Sequence, residues 1–65
     1  MKIEVNGEQR DVAATNVGEA LAELGLGEAR VATALNGTFV SAAARDGTAL
    51  SPADRLEVLT AMQGG

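Results

Sequence analysis

Hydrophobic and polar residues alternate from the first residues of the chain. In KIEVNGEQRDV, Ile3 and Val5 alternate with Lys2 and Glu4, a period of two that predicts a strand with one buried face. Asn6-Gly7 interrupts the alternation, and this pair suits a two-residue type I′ turn because both central positions need positive φ. Residues 2–12 are therefore expected to form a β-hairpin. The period then changes. Val17, Leu21 and Leu24 share one helical face with Ala20 beside them. Asn16 is placed to cap that helix, and Glu19 stands three residues later, as in a capping box. Gly25 suits the left-handed position after the last turn. The helix is expected over 17–24.

The period of two returns in RVATALNGTFV, where Val31, Thr33 and Leu35 alternate with Ala32 and Ala34. Asn36-Gly37 repeats the hairpin signal, and residues 38–40 supply the returning strand. SAAARDGTALSPAD is the least regular stretch, with turns expected at Arg45-Asp46-Gly47 and at Ser51-Pro52. In RLEVLT, Leu56, Val58 and Thr60 alternate with Arg55, Glu57 and Leu59, giving a last strand over 55–60. Ile3, Val5, Leu21, Leu24, Leu56 and Val58 are the expected core.

Two hairpins, one helix and a late strand suit an α+β roll. Its compact form lays the last strand parallel beside the first, in the centre of a mixed sheet, with the helix packed on one face. That arrangement is the β-grasp, or ubiquitin-like, fold; other small α+β arrangements use the same elements. Sixty-five residues allow one domain, placed at 1–60, followed by a flexible tail at 61–65.

Composition narrows the chemistry. The sequence has no Cys and no His, which removes a disulfide framework, a thiolate nucleophile and the commonest metal ligand and proton shuttle. Without Cys, His or Tyr there is no Ser-His or Cys-His pair for nucleophilic catalysis. The carboxylates Glu4, Glu8, Asp11, Glu19, Glu23, Glu28, Asp46, Asp54 and Glu57 fall at positions that read as solvated surface. Gly25-Leu26-Gly27 follows a helix and lacks the spacing of a phosphate loop. The net charge of −4 provides no basic stripe for nucleic acid. No apolar run approaches the ~20 residues that span a bilayer, and no signal peptide opens the sequence. The expectation is a cytoplasmic protein that is not an enzyme, binds no metal, and meets neither nucleic acid nor membrane.

The ending AMQGG has no periodicity. Five extended residues reach about 16–18 Å. Gly64 and Gly65 lack side chains and would pass through a channel too narrow for any Cβ. An α-carboxylate carried on such an arm becomes an electrophile once a partner adenylates it, and then accepts sulfide or an amine.

Two segments carry a family resemblance. VATALNGTFV, residues 31–40, resembles the V-A-V-A-V-N-G-E-x-V segment of the ThiS family, the sulfur carriers of thiamine (thiazole) biosynthesis. DRLEVLTAMQGG, residues 54–65, is similar to that family's D-R-V-E-I-V-T-A-V-Q-G-G ending. Length and element order match as well. Departures fall in the middle: Ser41 and Ala42 replace a Pro-Arg pair, Arg45 stands where many members have Trp, and Pro52-Ala53-Asp54 replaces a D-G-D turn.

The resemblance implies a β-grasp carrier. An E1-like adenylyltransferase (ThiF type), using its own ATP and Mg²⁺, would make the adenylate at Gly65. Sulfur from a donor such as a cysteine desulfurase would give the thiocarboxylate, and a thiazole synthase (ThiG type) would consume it. Met62, Gln63 and Gly64 would be the tail that enters the partner's active site. Leu59 points away from the helix side, and with Met62 it would form part of the docking patch for the adenylyltransferase. A MoaD-type subunit of molybdopterin synthase shares this plan, but its usual prolines before the end are missing from Thr60-Ala61-Met62-Gln63. A ubiquitin-like modifier and a passive interaction domain are the other readings of the same fold.

Overall fold

The computed structural model describes residues 1–27 and 29–60. Its elements are β1 (Lys2–Val5), β2 (Glu8–Asp11), α1 (Val17–Glu23), β3 (Val31–Leu35), β4 (Thr38–Val40), a 3-10 helix (Ala42–Gly47) and β5 (Arg55–Thr60). The strands form one mixed sheet in the order β2-β1-β5-β3-β4. β5 lies in its centre, parallel to β1 and antiparallel to β3. This is the expected β-grasp topology.

Local chemistry explains the elements. Both Asn-Gly pairs take the left-handed turn, with φ of 50° and 86° at Asn6-Gly7 and 51° and 86° at Asn36-Gly37. They set the β1–β2 and β3–β4 registers. At the start of α1, the Asn16 side chain accepts from the Glu19 N–H at 2.8 Å. The reciprocal half of the box shifts by one residue: the Glu19 carboxylate accepts from the Thr15 N–H at 2.9 Å and from its hydroxyl at 3.0 Å. At the other end, Gly25 has φ of 81°. Its N–H donates to Ala22 O, and the Leu26 N–H donates to Leu21 O at 2.8 Å, the paired bonds of a Schellman cap. The helix therefore stops at Glu23, and Leu24 is half-buried rather than fully in the core.

The sheet's inner face and α1 enclose the core. Ile3, Val17, Ala20 and Leu56 are 0–1 % exposed, and Val5, Leu21 and Val58 are buried with them. Val12, Ala14 and Leu50, residues of the connecting segments, complete the cluster. The Glu23 carboxylate ties down the segment before the helix, accepting from the N–H groups of Ala13 and Ala14 at 3.0 Å.

The turn expected at Arg45-Asp46-Gly47 is corrected to the last half of the 3-10 helix. Its register is held by Arg45. The Nε donates to Thr33 Oγ1 at 3.1 Å and Nη2 donates to Val31 O at 2.7 Å. Thr33 is 2 % exposed, and its hydroxyl donates in turn to Val40 O at 2.7 Å. A buried hydroxyl needs such partners. The Ser51-Pro52 turn is present, closed by Asp54 N–H to Ser51 O at 3.1 Å.

Candidate functional site

β5 divides its residues between two environments. Leu56 and Val58 point into the core, and Arg55, Glu57 and Leu59 point to the open face of the sheet. There Leu59 lies beside Ala32, while Glu57 and Phe39 lie on either side of Ala34. Phe39 and Leu59 are each 70 % exposed. These residues line a broad depression of about 720 Å³, bordered by Glu4, Arg55 and Glu57. Large apolar side chains left exposed together on one face are the kind of surface that partners cover.

The sequence places Leu59 away from the helix, and in the structure its side chain stands on this open face. Phe39 is missed by the sequence reading. The signal for it was its position between Thr38 and Val40: with Val40 buried, Phe39 must face outward. Only the sheet order brings it next to the residues flanking Leu59. Met62, Gln63, Gly64 and Gly65 lie outside the described residues, as does the expected boundary between domain and tail. Thr60, the last described residue, pairs with Val31 at the end of β5.

The described residues assemble no catalytic constellation. Among them, no three His, Cys, Asp or Glu side chains converge to hold a metal. Glu19 is held below its ordinary value of 4.5, first by the Thr15 N–H and then by the Thr15 hydroxyl, but it caps α1 on the opposite side of the sheet. No helix of the described residues is long and apolar enough to cross a membrane. What the face offers is recognition: apolar area, two carboxylates and one guanidinium around the strand that leads to residue 61.

A five-stranded mixed sheet with a central parallel pair and one helix across its inner face defines a small ubiquitin-like protein. The sequence matches the model of the ThiS family over residues 3–65. It is 35 % identical to the thiamine biosynthesis protein ThiS from Geobacter metallireducens. That protein's crystal structure aligns over all of both chains at a TM-score of 0.83. The solution structure of a thiamine biosynthesis protein from the same organism gives 35 % identity and a TM-score of 0.79, with all of this chain and 88 % of that one covered. No curated protein matches the sequence. The chain belongs to the ThiS family.

Proposed function

We propose that the protein is a sulfur carrier of thiamine biosynthesis whose reactive group is the α-carboxylate of Gly65. The observation that carries this reading is the family match through residue 65, on a fold whose central strand β5 ends at Thr60, the residue before the AMQGG ending. In this reading a Gly65 carboxylate oxygen attacks the α-phosphorus of ATP in the adenylyltransferase, and pyrophosphate leaves. Persulfide sulfur from a donor such as a cysteine desulfurase then attacks the acyl carbon, and AMP leaves. A second thiol reduces the acyl disulfide so formed, taking the donor's sulfur into a disulfide and freeing the thiocarboxylate. The resulting thiocarboxylate delivers sulfur to a thiazole synthase. ATP and Mg²⁺ sit in the adenylyltransferase, and this chain supplies recognition and reach. Leu59, extended by Met62 and joined by Phe39 across β3, would dock the partner. Gly64 and Gln63 would thread its channel.

The test is thiol-selective alkylation followed by intact mass, after incubation with adenylyltransferase, ATP and a sulfur donor. Alkylation separates the thiocarboxylate from methionine oxidation, which adds a nearly equal mass. Deleting Gly65 shortens the arm by about 3.5 Å and should abolish labelling while leaving the melting temperature unchanged. Leu59→Asp should fold normally and bind the adenylyltransferase more weakly in calorimetric titration. Equal labelling of the Gly65-deleted protein would overturn the carrier reading. Isopeptide conjugates on lysines, in place of a thiocarboxylate, would reassign the protein as a modifier.

A further inference from the structure

The two Asn-Gly turns do more than reverse the backbone, because both asparagine side chains are bound to β5. Asn6 donates its backbone N–H to Leu56 O at 3.0 Å, as a parallel ladder requires. The next bond of that ladder would need the Asn6 carbonyl, but the left-handed turn has carried it away. The carboxamide replaces it. Asn6 Oδ1 accepts from the Val58 N–H at 2.8 Å, and Asn6 Nδ2 donates to Val58 O at 3.0 Å. One carboxamide thus stands in for the next peptide unit of β1, across a separation of 52 residues. Asn36 repeats half of the device. Its backbone N–H donates to Arg55 O at 2.8 Å, and its Oδ1 accepts from the Arg55 N–H at 2.9 Å. Its Nδ2 instead donates to the Asp54 carboxylate at 3.1 Å, in an exposed bond.

An asparagine followed by glycine is open to self-deamidation. The glycine N–H loses its proton and the nitrogen attacks Asn Cγ. The Cγ–Nδ2 bond breaks and ammonia leaves with that proton. Water then opens the cyclic imide at either carbonyl, giving Asp or isoAsp. Ring closure requires the carboxamide to turn toward its own backbone, so both of its hydrogen bonds must break first. We propose that Asn6-Gly7 is a deamidation site held closed by the fold, and that its conversion unlatches β5 at residues 58–60. After conversion to Asp, the oxygen facing Val58 O has no proton to donate at neutral pH. IsoAsp lengthens the backbone inside a turn that fixes the β1–β2 register.

Asn36 is the internal control. Both asparagines follow a branched apolar residue and precede glycine, so their unfolded reactivities should be comparable. In the native protein they differ: the Asn6 bonds are partly buried and reach strand backbone, and the Asn36 carboxamide bonds are exposed, one to backbone and one to a side chain.

The experiment ages the full-length protein in mildly alkaline buffer, with and without denaturant. A protease cutting after Arg and Lys then places residues 3–10 and 31–45 on separate peptides for mass analysis. In denaturant the two sites should convert at comparable rates. In native buffer Asn6 should lag Asn36 by on the order of tenfold, the extra local opening needed to free its carboxamide. The Asn6→Asp protein should melt at a lower temperature than the Asn36→Asp protein and exchange its 58–60 amides faster. Native conversion of Asn6 at its denatured rate overturns the proposal, as does an Asn6→Asp protein with unchanged melting and exchange. If Asn6→Asp does not fold, the aged wild-type protein, resolved by charge, supplies the same comparison.

Discussion

Leu56→Ala tests the register on which the open face depends. Leu56 is fully buried on β5, paired with Val5 on one side and Leu35 on the other. Truncation removes the three-carbon isopropyl end of the side chain, roughly 2–2.5 kcal/mol of transfer free energy at about 0.8 kcal/mol per carbon group. The neighbours belong to a sheet and a capped helix that close imperfectly over the gap, so the cavity should bring the loss to about 3–5 kcal/mol. A protein of this length has roughly 3–10 kcal/mol in total. With an m-value near 1 kcal/mol/M in urea, a loss of about 3 kcal/mol moves the midpoint by roughly 3 M. The sequence has no Trp and no Tyr, so unfolding is best followed by far-ultraviolet circular dichroism. Leu59→Ala is the matched control: the same chemistry, three residues along the same strand, at 70 % exposure. It should cost less than about 0.5 kcal/mol. A one-residue slip of β5 would exchange the two faces. A Leu56→Ala loss below about 1 kcal/mol, or an equal loss at Leu59, refutes the register and with it the placement of Leu59 on the open face.

Two further outcomes rest on local geometry. Ala53 occupies the left-handed region at φ 73°, where the family's D-G-D turn has glycine; Ala53→Gly should raise the urea midpoint, gaining about 0.5–1 kcal/mol once glycine's greater unfolded freedom is subtracted. A lowered midpoint would show that the turn carries no strain. The Glu19 pKa is lowered on folding, so its contribution is present above 4.5 and lost as pH falls through the folded value. The stability difference between wild type and Glu19→Gln, from thermal melts across that range, should shrink as the carboxyl protonates; a difference independent of pH would remove Glu19 from the cap.

The elements were legible in the sequence because the signals for them lie within a few residues of one another. Asn-Gly demands positive φ twice, Asn16 and Glu19 sit one helical turn apart, Gly25 ends the helix, and the alternation of RLEVLT assigns Leu56 and Leu59 to opposite faces. The family resemblance rested on the same local strings. Contacts between distant segments were left to the tertiary structure. Nothing near Gly18 in the sequence marks a tight contact there, yet the Asp46 carboxylate occupies the place its Cβ would take. Arg45 reads as a turn residue, yet it holds a 3-10 helix against β3 through Thr33 and Val31. Asn6 reads as half of a turn, yet it completes the ladder of a strand 52 residues away. Phe39 joins the open-face strip because β3 lies between β4 and β5. Periodicity records which side of its own element a residue occupies. Which element covers that side is set when the core closes, and here that choice left Phe39 and Leu59 uncovered on one face.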